Sequence, residues 1–209
     1  PLIQYAVEEA VKAGCTKLVF ISSASKSSIM AHFAANGELE RQLSARGKTN
    51  LLGAIQNIIP KNVECEFINQ EEQLGLGHAV LCAEGVVGNN PFCVILPDDF
   101  ITDAIESPTE QLVKAYQSCG LAQLSVMEVE ASQISNYGVV KRGKGTNQVA
   151  RLIEKPSLSL APSNIASVGR YVFNPSIFAE IKNAGFGCGG EIQLADAIDQ
   201  LAQQGKVEM

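Results

Sequence analysis

The order of segments along this chain predicts an α/β fold, with a mixed but mostly parallel sheet and helices on both faces. Short apolar runs with β-branched and aromatic residues alternate with stretches of helical spacing. The runs are continuous, as in strands buried on both sides, and polar residues follow two of them, at Gln70 and at Asp98-Asp99. With 209 residues, 46% of them hydrophobic, the chain is expected to form one domain over 1–209.

The first half of the chain alternates helices with strands. Apolar residues at helical spacing predict a helix over 2–13 that Gly14 ends, and the run over 17–21 predicts a buried strand. The elements expected next are a helix from a cap at Ser25 through Phe33, helices at 38–44 and 50–59, a strand at 63–68, a helix at 77–86 and a strand at 92–96. Strand 92–96 is stopped by Pro97.

The second half is richer in strands. The elements expected there are a helix at 109–119, strands at 122–129, 138–141, 149–154 and 166–173, and a helix at 192–203. The turn-rich segment 143–147 is expected to join two of the strands as a hairpin. A helix at residue 2 of such a fold should follow a strand, so we expect the chain to be the interior of a longer protein.

Composition excludes several classes of partner. The net charge is -6, and the 16 basic residues are scattered, which argues against nucleic acid and an anionic membrane surface. Apolar runs stay well short of the roughly 20 residues that span a bilayer. Six cysteines without a C-x-x-C pair suggest reduced core residues of a cytoplasmic protein. His32 and His78 favour neither zinc nor a Ser-His-Asp triad, so catalysis should use carboxylates, lysines, amides and a hard divalent ion.

Three segments are candidates for chemistry, each with a structural alternative. Residues 70–79 place Gln70 and a Gly-x-Gly pair at the start of a helix. This arrangement suits a flat or anionic ligand, and the alternative is an ordinary helix-entry turn. Asp98, in 96–99, is the better Mg²⁺ ligand, while Asp99 suits a turn cap. In 153–156, Glu154 suits sugar hydroxyls and Lys155 a phosphate, although a charged turn before proline explains both. If the strand continued, these two side chains would point to opposite sides and not pair.

Together these segments occur in the order of one family. The motifs are PLIQYAVEEAVKAG at 1–14, ELE at 38–40, LGLGHAVLCAE at 74–84, VILPDD at 94–99, YGVV at 137–140, EKP at 154–156, APSNIASVGRYV at 161–172 and GGEIQLADAI at 189–198. The chain resembles the bacterial UTP:glucose-1-phosphate uridylyltransferases, also called UDP-glucose pyrophosphorylases, essentially from end to end. Ala195 stands where that family usually has threonine.

The resemblance implies a Rossmann-like nucleotidyltransferase fold and an Mg²⁺-dependent reaction of UTP with glucose 1-phosphate. It assigns Gln70 to the uracil edge, backbone contacts to Gly75 and the metal to Asp98. It assigns glucose hydroxyls to Gly138 and Glu154, the sugar phosphate to Lys155, and room beside the sugar to Gly169. It also implies a homo-oligomer, a dimer or tetramer.

The family's glycine-rich loop and Pro-Lys-Glu-Met-Leu-Pro segment would precede Pro1, and its Asp-Cys-Gly segment would follow Met209. The chain alone is therefore expected to lack uridylyltransferase activity. Two alternatives remain: a thymidylyl- or other nucleotidyltransferase acting on glucose 1-phosphate, and a non-catalytic paralogue that binds nucleotide sugars.

Overall fold

The structure is a computed structural model that describes residues 1–23, 27–34, 37–102 and 105–209. Its helices are α1 (Leu2–Lys12), α2 (Ser27–Phe33), α3 (Gly37–Ala45), α4 (Thr49–Gln56), α5 (Leu76–Cys82), α6 (Glu84–Val87), α7 (Pro108–Cys119), α8 (Ser176–Ala184) and α9 (Leu194–Gln203). Its strands are β1 (Lys17–Ser22), β2 (Glu64–Asn69), β3 (Phe92–Ile95), β4 (Ala122–Glu128), β5 (Gly138–Arg142), β6 (Val149–Glu154), β7 (Ile165–Phe173) and β8 (Val207–Glu208). The predicted cap at Ser25 lies outside the described residues.

The strands form two hydrogen-bonded sheets. Strands β1 and β2 pair in parallel, whereas the other six form a sheet in the order β6-β5-β7-β4-β8, with β3 also paired to β7. The α/β fold with a mixed sheet is confirmed, but the expectation that most pairs are parallel is wrong. In the larger sheet only β4 and β8 pair in parallel among the described strands. Short connections such as the 143–148 loop cannot make the long crossover that a parallel pair needs.

Strand β7 is the centre of the larger sheet, and all nine of its residues are buried. Neighbouring residues of a strand face opposite sides of a sheet. Tyr171 packs in the core cluster with Phe178 of α8 and Ile198 of α9, while Arg170 hydrogen-bonds to Glu9 of α1 on the other side. Helices therefore cover both faces of β7, as predicted.

The arrangement around β7 positions the candidate site. Strand β4 occupies one edge of β7. Strands β3 and β5 share the other edge in tandem, since Ile95 pairs with Arg170 and Val139 pairs with Ala166. The chain leaves β3 at Ile95 and enters β5 at Gly138, so the gap between these strands lies beside residues 167–169. The turn at 96–99 lies in this gap.

Several element boundaries differ from the sequence prediction, each for a local reason. Helix α4 ends at Gln56, three residues early, where the Asn57 side chain donates to the Gly53 carbonyl at 2.7 Å. The predicted helix at 77–86 divides at Ala83 into α5 and α6. Helix α8, which buries Ile177, Phe178 and Ile181, was not predicted from the sequence, although these residues have helical spacing.

Five of the six cysteines are less buried than predicted. Cys65 and Cys119 are exposed, while Cys15, Cys82 and Cys93 are half-buried, and all five are free thiols. Their apolar sequence neighbours therefore did not indicate full burial. No helix of the described residues is both long enough and apolar enough to cross a membrane.

Candidate active site

Two cavities adjoin where residues 74–77 meet residues 190–193. The wider one, about 320 Å³, is lined by Ile21, Ser22, Ser23, Gln70, Gln73, Gly75 and Glu191. The narrower one, about 60 Å³, is lined by Leu76, Gly138, Leu152, Glu154, Ser167, Tyr171, Gln193, Leu194, Ala195 and Ile198. Gly75 and Glu191 line the wider cavity, and Leu76 and Gln193 line the narrower one, so the same two segments contribute residues to both, and we treat the two cavities as one cleft. A ligand with two chemically different halves suits this shape.

Backbone hydrogen bonds join residues 74–77 to Ile192, although these two segments are far apart in the sequence. Ile192 donates its N–H to the Leu74 carbonyl at 2.7 Å and accepts from the Gly77 N–H at 2.8 Å. A β-carbon on Gly77 would lie 2.7 Å from the Ile192 carbonyl oxygen, and one on Gly75, whose φ is +96°, would lie 2.8 Å from the Glu191 Cβ. The Gly-x-Gly pair therefore lets residues 74–77 pack closely against residues 191–192.

This contact also explains where helix α9 begins. The sequence predicts a helix from Ile192, but both backbone groups of Ile192 are bonded to residues 74–77, so the helix begins at Leu194. The residues of the GEIQL motif before α9 thus form part of the wall of the cleft.

Gln70 lies in the wider cavity, directly after β2, as predicted. Its side-chain Nε2 donates to the Gly75 carbonyl at 3.2 Å and contacts Nδ1 of His78 at 3.0 Å. Because these two contacts use both amide hydrogens, the Oε1 atom of Gln70 is the group left to accept from a ligand. Sequence patterns did not indicate a role for His78, because only the fold brings residues 70 and 78 together.

Gly138 and Glu154 lie directly opposite each other on β5 and β6, and both line the narrower cavity. A β-carbon on Gly138 would lie 3.2 Å from Oε2 of Glu154, so glycine keeps the space above this carboxylate open. Burial raises the pKa of Glu154, and the nearby Asp196 raises it further, whereas Lys155 opposes both. The cavity therefore holds a carboxylate whose charged form is disfavoured by burial and favoured by the neighbouring Lys155.

Lys155 follows Glu154 in an unusual backbone conformation. Its φ of +42° is the one positive value among the described non-glycine residues, and its N–H donates to the Tyr137 carbonyl at 3.1 Å. The strand ends at Glu154, so the condition under which these two side chains would point apart is not met, and Lys155 Nζ lies 3.8 Å from Glu154 Oε1. Strain of this kind is typical of functional sites.

The turn at 96–99 brings Asp98 and Asp99 beside Gly169. Asp98 is exposed, and its carboxylate has no hydrogen-bonding or ion-pair partner within the described residues. Asp99 is half-buried and accepts the Gly169 N–H at 2.8 Å. A β-carbon on Gly169 would lie 2.5 Å from the Leu96 Cβ, so this glycine lets the turn approach β7. Its predicted place beside the sugar stays a prediction.

Tyr171 links the turn to the narrower cavity, and the sequence did not single it out. Burial raises the pKa of its hydroxyl, and the carboxylates of Glu154 and Asp99 raise it further, so both act on the same ring. Its hydroxyl accepts from Ser167 at 3.3 Å. The fold therefore assembles carboxylates from β6 and from the 96–99 turn around residues 167–171 of β7.

Similar proteins identify the family to which this chain belongs. The family profile described as "Nucleotidyl transferase" matches residues 1–209. A UTP–glucose-1-phosphate uridylyltransferase of Haemophilus ducreyi is 42% identical over 218 aligned positions, which cover 100% of this chain and 74% of that protein.

Two solved structures are also similar. A crystal structure of apo UDP-glucose pyrophosphorylase has a TM-score of 0.91 at 36% identity and covers 99% of this chain and 77% of that one. A UDP-glucose pyrophosphorylase complexed with UDP-glucose has a TM-score of 0.88 at 34% identity, covering 100% and 78%. The chain therefore belongs to the nucleotidyltransferase family, and within it to the UTP–glucose-1-phosphate uridylyltransferases.

Proposed function

We propose that this chain carries the substrate cleft of an enzyme that joins UTP and glucose 1-phosphate into UDP-glucose and pyrophosphate. The observation that carries the proposal is the pair of adjoining cavities, one with an amide acceptor and one with a partly buried carboxylate. A nucleoside and a hexose need these two chemistries side by side. The relatives named for UTP and glucose 1-phosphate, and the structure complexed with UDP-glucose, support the same substrates.

The uracil ring belongs in the wider cavity. With both amide hydrogens of Gln70 engaged by Gly75 and His78, its Oε1 accepts a hydrogen from the ligand. The imide N–H of uracil is such a donor, whereas cytosine carries no hydrogen at the equivalent ring nitrogen. Gly75 adds backbone contacts, and its lack of a side chain keeps this wall close to residues 191–192.

The glucose ring belongs beside Gly138, Glu154 and Gly169. The carboxylate of Glu154, which lines the narrower cavity, accepts hydrogen bonds from sugar hydroxyls. Lys155, whose side chain is 62% exposed, places its charge at the sugar phosphate. This charge reduces the repulsion between the two anionic substrates.

Asp98 is the proposed ligand for Mg²⁺. Its exposed carboxylate is a hard oxygen donor, and Mg²⁺ is commonly held by one or two carboxylates together with substrate phosphates and water. The described residues contain no group of three His, Cys, Asp or Glu side chains that would hold a metal by themselves. When bound, the metal would neutralise charge on the reacting phosphates.

The reaction needs no covalent intermediate. A phosphate oxygen of glucose 1-phosphate attacks the α-phosphorus of UTP in line, and pyrophosphate leaves with the electrons of the broken P–O bond. The residues named above therefore act by alignment and by charge. Gln70 and Glu154 orient the two substrates, and Lys155 stabilises the developing charge.

Release of pyrophosphate from UTP and from TTP, each with glucose 1-phosphate, tests the proposal in the full-length protein. We expect UTP to be preferred. Gln70→Ala should raise KM for UTP by about tenfold or more, because the lost amide held the base through a hydrogen bond in a partly buried cavity. Gln73→Ala is the matched control, since Gln73 lines the same cavity but is exposed. Equal rates with UTP and TTP would contradict the uridylyl assignment.

The single domain over 1–209 and the homo-oligomer, a dimer or tetramer, stay predictions. Analytical ultracentrifugation of the full-length protein would measure the number of subunits.

A further inference from the structure

A buried ion pair lies behind the 96–99 turn, on the face of β7 opposite Tyr171. The Arg170 guanidinium donates from Nε to both carboxylate oxygens of Glu9, at 3.1 Å each, and from Nη2 to Oε2 at 3.0 Å. The two side chains are 4% and 11% exposed. Glu9 also accepts from the Thr109 N–H at 3.2 Å and from its hydroxyl at 2.6 Å. The pair thus connects α1, β7 and the first turn of α7.

The same guanidinium also holds the turn. Arg170 Nη1 donates to the Leu96 carbonyl at 2.9 Å, and the Leu96 N–H donates to the Gly169 carbonyl at 2.8 Å. At the other end of the turn, Asp99 accepts the Gly169 N–H at 2.8 Å. Both backbone groups of Leu96 and the side chain of Asp99 are therefore bonded to two consecutive residues of β7. Asp98 lies between these anchors, with its own carboxylate exposed.

We propose that Arg170, Glu9 and Asp99 are positioning residues that hold the Asp98 carboxylate at one place in the cleft. The inference rests on the proposed role of Asp98 as a metal ligand. Asp99 acts through the Gly169 N–H and does not itself hold the metal. An exposed carboxylate on a free turn would have to be ordered each time the metal and the phosphates bind, and a turn anchored at both ends avoids that entropy cost.

The chemistry of Asp99 makes the inference testable. Asparagine retains an oxygen that can accept the Gly169 N–H, but it lacks the negative charge that a metal ligand supplies. Asp99→Asn should therefore preserve the position of Asp98, whereas Asp99→Ala should release it. For Asp98, in contrast, the asparagine and alanine variants should both weaken metal binding, because Asp98→Asn and Asp98→Ala both remove the charge.

The measurement is the affinity of Mn²⁺ for the full-length protein saturated with UDP-glucose. Mn²⁺ replaces Mg²⁺ because its binding can be followed by electron paramagnetic resonance. We expect Asp98→Asn and Asp99→Ala each to weaken Mn²⁺ binding by about tenfold, as expected when a charged contact is lost or misplaced. Asp99→Asn should stay within about twofold of wild type. Asp199→Ala is the matched control, because Asp199 also accepts a backbone N–H, that of Leu152 at 2.9 Å, away from the turn.

The ion pair needs a second kind of variant. Arg170→Ala alone would leave Glu9 buried without its partner and could unfold the chain. The double variant Glu9→Gln with Arg170→Met removes both charges at similar volume, and it removes the donor to Leu96. It should weaken Mn²⁺ binding as Asp99→Ala does, while the affinity for UDP-glucose without metal stays unchanged.

The outcomes separate this inference from the proposed function. If Asp98→Asn leaves Mn²⁺ affinity unchanged, the metal assignment fails and the inference fails with it. If Asp98→Asn weakens binding but Asp99→Ala or the double variant does not, only the positioning role is wrong. If Asp99→Asn weakens binding as much as Asp99→Ala, Asp99 is itself a ligand and the inference is overturned.

Discussion

The β1–β2 pair and the six-stranded sheet contribute to the same cleft but are packed very differently. In the larger sheet, Leu124, Val139 and Phe173 are fully buried. In the pair, β2 has no fully buried residue, and helices α3 and α4, which lie between β1 and β2 in the sequence, bury none of their described side chains. Gln70 follows the lightly packed pair, whereas Glu154 and the 96–99 turn contact the larger sheet. We infer that the nucleoside side of the cleft is the more adaptable one.

Removing one aromatic ring from each sheet tests this difference directly. Phe173→Ala should reduce the free energy of unfolding by about 3–5 kcal/mol, because the ring is fully buried between Phe92 and Tyr171. Phe67→Ala should cost less than half as much, because Phe67, which stacks on Phe20 of β1, is only half-buried. Urea unfolding followed by circular dichroism measures both. Equal losses would show that the two sheets are equally well packed.

Two variants of Lys155, on the larger-sheet side of the cleft, separate the role of its charge from the cost of its positive φ. Lys155→Ala in the full-length protein should lower turnover by about 10- to 100-fold, since the charge at the sugar phosphate is lost, with little change in melting temperature. Lys155→Gly should lower turnover equally while raising stability by about 1 kcal/mol, because glycine adopts positive φ without strain. Near-normal turnover in either variant would remove Lys155 from the mechanism.

Glu154 should make the larger sheet less stable as pH rises. Burial raises the pKa of Glu154 above its ordinary value of 4.5, so between 4.5 and the raised pKa the folded chain binds more protons than the unfolded chain. The free energy of unfolding therefore falls as pH rises through that window. Glu154→Gln should raise the melting temperature at pH 7, with no gain below about pH 4, and weaken UDP-glucose binding.

Melting curves of the wild type and of Glu154→Gln, recorded from pH 4 to pH 8, measure this effect. A melting temperature of the variant that is unchanged at pH 7 would show that the carboxylate is well solvated in the free cavity. Asp199→Asn is a suitable control, because Asp199 is already paired with Arg151 at 2.7 Å.

The smallest effect is expected for the ion pair that joins β1 to β2. Lys17 Nζ lies 2.9 Å from Glu66 Oε2, but the two side chains are 40% and 42% exposed. Glu66→Gln should leave the free energy of unfolding nearly unchanged, because solvent screens exposed pairs. Urea unfolding at low and high salt measures the change. A loss comparable with that of Phe67→Ala would mean that this pair, and not apolar packing, holds the small sheet together.

Local patterns predicted most of the helices and strands and the polar residues at the ends of β2 and β3. They did not predict strand direction, because the direction of pairing depends on how connections fold back and not on the apolar content of a strand. They also gave no indication of His78, Tyr171 or Arg170 as parts of the site. Each of these acts through a residue that is at least eight positions away along the chain or on another element, as in the pair of Arg170 with Glu9.

By itself, the sequence determined the α/β class, the family resemblance and the candidates Gln70, Asp98, Gly138, Glu154 and Lys155, because these depend on residue type and local order. The tertiary structure decided which of them share a cavity. It also decided that the glycines at 75, 77 and 169 allow close packing of distant segments. Only the placement of β3 and β5 in tandem along β7 brings the Asp98 turn to the sugar side of the cleft, since that register is a property of the folded sheet.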